Sequence, residues 1–112
     1  MPKKIIILEN IRSAYNVGNV IRTADALGRE VRITGYTPSP LDHPKVKKTS
    51  LGAEDSVALK QFDYTSDAIA YAKEQKIWII AAEITPDAID LQSFSENNRA
   101  DIAIVFGNEV EG

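Results

Sequence analysis

The sequence predicts an α/β fold with a mostly parallel sheet and flanking helices. Three segments, KIIIL (4–8), KIWIIAAE (76–83) and DIAIVFG (101–107), are apolar without alternation, as expected for strands that are covered on both faces. Segments with helical periodicity or polar composition separate the strands, which is the pattern of parallel βαβ units. At 112 residues the chain is long enough for one core, so we expect one domain over residues 1–112.

The first strand, 4–8, is predicted to be central, and a helix is expected after it. Residues 9–15 are a polar loop, Asn16 is a candidate N-cap, and Gly28 is a typical residue just past a helix end. The apolar stripe that would face the core consists of Val17, Val20, Ile21, Ala24 and Leu27. Arg22 lies about 140° around the helix axis from Val17, so we expect it to face away from the core.

Residues 30–35 predict a second strand, and residues 57–62 predict a short edge strand. The connection between them, 36–56, contains three prolines and is interpreted as a loop, functional or disordered.

A second helix, capped by Thr65 or Ser66, is expected to run to about Gln75. Trp78 is predicted to lie in the core, because isoleucines flank it in an apolar strand. Residues 84–100 are interpreted as a loop with one helical turn.

The chain has no cysteine and one histidine, His43, so we expect neither disulfides nor a metal site. No apolar run approaches the roughly 20 residues of a membrane span, and no signal-peptide core follows MPKK. We therefore expect a cytoplasmic protein without a membrane partner. The formal net charge is −3, yet cations cluster locally, which leaves open a solvated surface or a site for a polyanion.

Polar segments follow residues 8, 83 and 106. If these three strands are parallel neighbours, the segments meet at the carboxyl edge of the sheet, where α/β folds bind ligands. In the first of them, Asn10, Arg12 and Ser13 provide groups that suit a phosphate or a sugar. The same stretch is also compatible with an ordinary capped helix start.

The segments FGNEVEG (106–112) and HPKVKKTSLGA (43–53) have two interpretations each. The first can be a plain glycine turn, and neither GxGxxG nor GxxxxGK[ST] is present, which argues against a dinucleotide fold and a P-loop. The second can be a solvated loop, or its lysines Lys45, Lys47 and Lys48 can bind a sugar-phosphate backbone.

NIRSAYNVGNVIRTADALG (10–28) resembles motif 1 of the SpoU (TrmH-type) RNA ribose 2′-O-methyltransferases of the SPOUT superfamily. The pattern is roughly N-x-x-S-x-x-N-x-G-x-x-x-R-x-A-x-x-x-G, and the matching residues are Asn10, Ser13, Asn16, Gly18, Arg22, Ala24 and Gly28. IAIVFGNEVEG (102–112) resembles motif 2, a strand followed by G-x-E-x-x-G, which Gly107, Glu109 and Gly112 match. The segment KTSLGAEDSV also resembles the family between these motifs.

The resemblance implies methyl transfer from S-adenosylmethionine to a ribose 2′-hydroxyl of tRNA or rRNA by a homodimer. It implies catalytic roles for Arg22, Asn16 and Glu109, with Arg22 and Glu109 expected to converge on one cleft. Cofactor contacts are implied at Ala82, Glu83, Gly107 and Asn108. RNA contacts are expected at Asn10, Arg12, Ser13, Lys45, Lys47 and Lys48.

The family's third motif, with an S-x-N-V core that belongs to the knotted carboxyl-terminal segment, has no match in this sequence. We therefore expect the amino-terminal part of a SpoU-type domain, truncated after motif 2, as a fragment, a split protein or a natural truncation. The alternative to an enzyme is a non-catalytic RNA-binding module. A flavodoxin-like domain is disfavoured, because no acidic cluster follows the first strand.

Overall fold

The computed structural model describes residues 3–40, 43–83 and 101–107, with backbone only at residues 54 and 81–83. In chain order, the elements are β1 (Lys4–Glu9), α1 (Ala14–Leu27), β2 (Glu30–Thr34), α2 (Pro44–Ser50), β3 (Leu59–Phe62), α3 (Thr65–Glu74), β4 (Trp78–Glu83) and β5 (Ile102–Gly107). The five strands form one sheet of order β3-β2-β1-β5-β4. Every described pairing is parallel, which confirms the predicted fold class.

β1 lies at the centre of the sheet, as predicted. Its residues Ile5 to Leu8 are fully buried, because helices cover both faces. Ile6 and Leu8 belong to a core cluster with α1, whereas Ile5 and Ile7 belong to a second cluster with α3. The uninterrupted apolar run thus supplies alternate side chains to two separate cores.

α1 begins at Ala14, earlier than predicted. The N-cap is Ser13, whose Oγ accepts a hydrogen bond from the Asn16 backbone N–H at 3.1 Å, so the prediction of Asn16 as the cap is wrong. Ser13 performs that function three residues earlier. The predicted end is confirmed, since Gly28 adopts the left-handed conformation with φ 68°.

The connection 36–56 is not a plain loop, so that prediction is wrong over two stretches. It contains α2 and a 3₁₀ turn at Ala53–Asp55. Pro44 begins α2, where its missing N–H has no cost, and Leu51 ends the helix in the left-handed conformation. α2 packs against α1.

β3 is an edge strand, as predicted, and α3 follows it. The N-cap of α3 is Tyr64, without a side-chain cap bond, so the predicted caps Thr65 and Ser66 are wrong. The hydroxyl of Thr65 instead lies 2.7 Å from that of Thr34 on β2. This contact ties the start of α3 to the sheet.

Trp78 is 72% exposed, so the prediction that it lies in the core is wrong. The physical reason is position, since β4 is at the end of the described sheet. Its Ile79 packs against the core on the α3 side, whereas Trp78 and Ile80 point to the opposite face and stay exposed. The interpretation of residues 84–100 lies outside the described residues.

Candidate functional site

The carboxyl ends of three strands that precede polar segments lie together at one edge of the sheet. β1, β5 and β4 are adjacent and parallel, with Leu8 opposite Phe106 and Glu83 opposite Gly107. The chain therefore leaves all three strands at one edge. This geometry confirms that the three strands are parallel neighbours, as the prediction required. Residues 84–100 and 108–112 lie outside the described residues, so the meeting of the loops and the roles of individual residues in them stay predictions.

Asn10 joins the loop after β1 to the loop after β2. Its backbone is left-handed, with φ 51°, and its Oδ1 accepts a hydrogen bond from the Tyr36 backbone N–H at 3.0 Å. Gly35 makes this approach possible, because it has φ 62° and a Cβ there would lie 2.8 Å from the Asn10 Cγ. The Oδ1 of this predicted RNA contact is therefore engaged within the protein.

Thr37 provides a second, buried connection between the same loops. Its Oγ1 accepts from the Ile11 backbone N–H at 2.9 Å and donates to the Leu8 carbonyl oxygen at 3.0 Å. Sequence reasoning missed both Gly35 and Thr37. A glycine at the end of the predicted strand 30–35 was an available signal for Gly35, whereas nothing in the sequence marks Thr37.

Arg22 lies in the middle of α1, on its exposed side, as predicted. It is eight residues beyond Ala14, which places it about 12 Å along the axis from the start of the helix. Its guanidinium forms no hydrogen bond or ion pair with a described residue. Asn16 is half-buried in the first turn of the same helix, so the two predicted catalytic residues share one element.

The predicted cationic contacts for RNA are all exposed. Arg12 lies in the loop after β1, whereas Lys45, Lys47 and Lys48 project from α2. Because α2 packs on α1, the lysines lie on the same side of the sheet as Arg22.

The cofactor candidates occupy the ends of two neighbouring strands. Ala82 pairs with Phe106, and Glu83 pairs with Gly107. Gly107 is half-buried beside the end of β1, where a Cβ on it would make an ordinary contact of 3.6 Å with the Glu9 Oε1. Asn108 and Glu109 lie outside the described residues, and with them the expected convergence of Arg22 and Glu109.

Residues 3–40, 43–83 and 101–107 contain neither a membrane-spanning helix nor a cluster of metal ligands. No helix there has the length and apolarity to cross a membrane. No group of three or more His, Cys, Asp or Glu side chains is placed to hold a metal ion.

The SpoU rRNA Methylase family model matches residues 3–112 of this chain. A curated relative, the 23S rRNA (guanosine-2′-O-)-methyltransferase RlmB of Neisseria meningitidis serogroup B, is 31% identical over 111 residues, which are 99% of this chain and 43% of the relative. The chain thus spans less than half the length of that relative.

Solved structures share the fold. One, concerned with the 2-OH methylation of C/U34 on tRNA, has a TM-score of 0.73 at 25% identity, covering 96% of this chain and 68% of that one. Another, the SpoU methyltransferase AviRb from Streptomyces viridochromogenes in complex with AdoMet, has a TM-score of 0.74 at 21% identity, covering 96% of this chain and 44% of that one. The family match over nearly the whole chain shows that the chain belongs to the SpoU rRNA Methylase family.

Proposed function

We propose that this chain forms part of an RNA 2′-O-methyltransferase, which transfers a methyl group from S-adenosylmethionine to a ribose 2′-hydroxyl of tRNA or rRNA. The observation that carries the proposal is Arg22, an exposed guanidinium in motif 1 that no described side chain engages. The names of the relatives, an rRNA guanosine-2′-O-methyltransferase among them, support this chemistry. On this proposal, residues 1–112 correspond to a SpoU-type domain up to motif 2.

Arg22 acts on the ribose 2′-oxygen. A guanidinium keeps its proton at neutral pH, so it donates hydrogen bonds and stabilises the negative charge that develops on the 2′-oxygen while the hydroxyl proton passes to solvent water. Bound S-adenosylmethionine supplies the methyl group on its sulfonium. Asn16 shapes the same pocket from the first turn of α1, and Glu109, which lies outside the described residues, is assigned the motif 2 role of helping to fix the site. Most of the rate comes from orientation, because the oxygen must be held in line with the methyl group.

The residues present fit a cofactor held through backbone groups. Ala82, Glu83 and Gly107 lie at the ends of the neighbouring strands β4 and β5, and Asn108, outside the described residues, follows Gly107 in the sequence. The carboxyl edge of a parallel sheet is also the usual location of ligands in open α/β folds.

The proposed partners are RNA and a second copy of the chain. Arg12 and the α2 lysines are exposed, as contacts to phosphates require. Arg22 lies about 12 Å along α1 from the carboxyl edge, which favours a site completed by a second protomer. Because tRNA and rRNA serve translation, the proposal implies a cytoplasmic site of action.

The test measures S-adenosylmethionine binding by calorimetry and transfer of a labelled methyl group to bulk tRNA and rRNA. Arg22→Ala is expected to lower transfer by about 100-fold or more, the effect of removing one donor to a developing oxyanion. Arg22→Lys is expected to remain strongly impaired, because an ammonium lacks the planar fork. Lys73→Ala, which removes an exposed cation from α3, is the matched control and should transfer at the wild-type rate.

Wild-type transfer by Arg22→Ala would contradict the assigned role. If the whole protein of which residues 1–112 form part binds RNA but neither binds S-adenosylmethionine nor transfers methyl, it would instead be a non-catalytic RNA-binding module.

A further inference from the structure

Tyr36 is an exposed aromatic residue at the carboxyl edge of the sheet, and the proposed mechanism does not use it. It follows Gly35 directly after the end of β2, and 52% of its surface is exposed. An exposed tyrosine ring offers a flat apolar face with a polar tip, which is a common contact surface in recognition sites. Its surroundings indicate that this ring is held in place.

The backbone on both sides of Tyr36 is fixed by hydrogen bonds. Its own N–H donates to the Asn10 Oδ1 at 3.0 Å, and the Gly35 N–H donates to the Phe62 carbonyl oxygen at 3.3 Å. The following residue, Thr37, is 4% exposed and is bonded through Oγ1 to both Ile11 and Leu8. The ring is therefore presented by a preorganised loop, which lowers the entropy cost of binding a ligand.

Arg12 extends this surface. Its guanidinium carbon lies 5.9 Å from the centroid of the Tyr36 ring, and its Nε lies 3.5 Å from the Tyr36 hydroxyl oxygen. Both side chains are exposed. The pair places an aromatic face beside a permanent positive charge, the combination that stacks a base and contacts its phosphate in single-stranded nucleic acids.

We propose that Tyr36 is a stacking platform for an unpaired nucleobase of the RNA, with Arg12 at the adjacent phosphate. This inference rests on the proposed function and adds a base-binding position next to the motif 1 loop, to which Asn10 joins it. Sequence-specific RNA recognition depends on unstacked bases of this kind. The Tyr36 ring therefore contributes to the choice of a single-stranded or loop target over a paired one.

The test compares two fluorescently labelled RNA decamers, one of mixed sequence and one with the same backbone but no bases, by fluorescence anisotropy. The wild-type chain is expected to bind the decamer with bases more tightly. Tyr36→Ala should weaken that binding by about 5- to 150-fold, the range for loss of one base–aromatic stack, and leave the abasic decamer unaffected. Tyr36→Phe keeps the ring face and should remain within about twofold of wild type.

Two further variants separate stacking from charge. Arg12→Ala should weaken binding of both decamers and reduce the slope of log affinity against log salt, since it removes a phosphate contact. Tyr64→Ala is the matched control, because Tyr64 is 69% exposed but precedes α3 on another loop. It should bind both decamers like wild type.

Equal affinity of Tyr36→Ala and wild type for the decamer with bases would overturn the inference. An equal loss of affinity for both decamers would also overturn it, because it would indicate a distorted loop. Failure of the wild-type chain to bind either RNA would overturn it as well. Thermal unfolding of each variant reports whether it is folded. Methyl transfer that depends on Arg22 would stand unchanged under the first two results, so the proposed function and the stacking platform are tested separately.

Discussion

Thr49 on α2 lies directly over Gly18 on α1. A Cβ on Gly18 would come within 2.7 Å of the Thr49 Cβ and 2.9 Å of the Val46 carbonyl oxygen. The glycine therefore sets how closely the two helices approach. Arg22 lies one turn further along the same side of α1, so this contact also determines where α2 and its lysines stand relative to Arg22.

Gly18→Ala is expected to lower the free energy of unfolding by about 1–3 kcal/mol, because the added methyl group overpacks the contact between the helices. Thr49→Ala in the same chain should restore only part of the loss, since the Val46 carbonyl oxygen stays in place. Urea unfolding measures both values. Thr23→Ala, an exposed change on α1, is the control, and equal stability of Gly18→Ala and wild type would show that the helices separate without cost.

Ser13→Ala is expected to cost about 1 kcal/mol of stability, because the Asn16 backbone N–H loses its cap. Ser13→Asp keeps an acceptor and adds a negative charge at the helix N-terminus, so its stability should match or exceed that of wild type. Urea unfolding gives the stabilities, and anisotropy with RNA gives the affinities. If Ser13 contacts RNA, Ser13→Asp binds RNA more weakly while remaining stable; unchanged affinity would limit Ser13 to capping.

Arg32→Met is expected to lower the free energy of unfolding by about 2–4 kcal/mol. Arg32 is fully buried, pairs with Glu30, donates to the Gln75 Oε1 at 3.0 Å and lies 4.9 Å from the Tyr71 ring centroid. The substitution leaves two partly buried acceptors without their donor. Lys60→Met removes an exposed cation near the same ring and should cost less than about 1 kcal/mol by urea unfolding. A similar decrease in the free energy of unfolding in Arg32→Met and Lys60→Met would contradict a special role for the buried arginine.

Lys4 predicts a pH dependence at the opposite, amino edge of the sheet. Burial first, and then the positive charge of Arg29, lower the pKa of Lys4 below its ordinary value of 10.5, against an opposing effect of Asp101. Between the lowered and the ordinary pKa, the unfolded chain binds more protons than the folded one, so stability rises with pH. Wild type should therefore gain stability relative to Lys4→Met as the pH rises towards 10.5, measured by urea unfolding from pH 7 upward. A difference independent of pH would contradict the shift.

β1, β5 and α1 could be predicted because each buries a clear apolar pattern. α2 could not, since within its seven residues only Val46 and Ser50 are buried, too few for a helical period to be visible. The burial of Arg32 and Trp78 could not be predicted either, since the charged residue is buried and the apolar one is exposed. Arg32 is buried because it finds partners on β2 and at the end of α3. Trp78 is exposed because β4 lies at the end of the described sheet. Both outcomes depend on the tertiary arrangement.

The site could be predicted in outline for a related reason. Parallel strands bring their following loops to one edge whatever those loops contain, so the placement of the motif 1 loop followed from strand order. The hydrogen bond of Asn10 did not follow from strand order. Its Oδ1 accepts from the Tyr36 N–H only because Gly35 allows the loops after β1 and β2 to come into contact. Spacing in a motif carries no information about such a partner.

The position of β5 constrains the order of events during synthesis. β5 is the last described strand along the chain, yet it fits between β1 and β4 in the sheet. A nascent polypeptide that ends before residue 102 has two open strand edges where β5 belongs, and such edges recruit other chains. The ribosome must synthesise residues 102–107 before the sheet can form completely. Chains that terminate before residue 102 should therefore aggregate rather than fold into a smaller product.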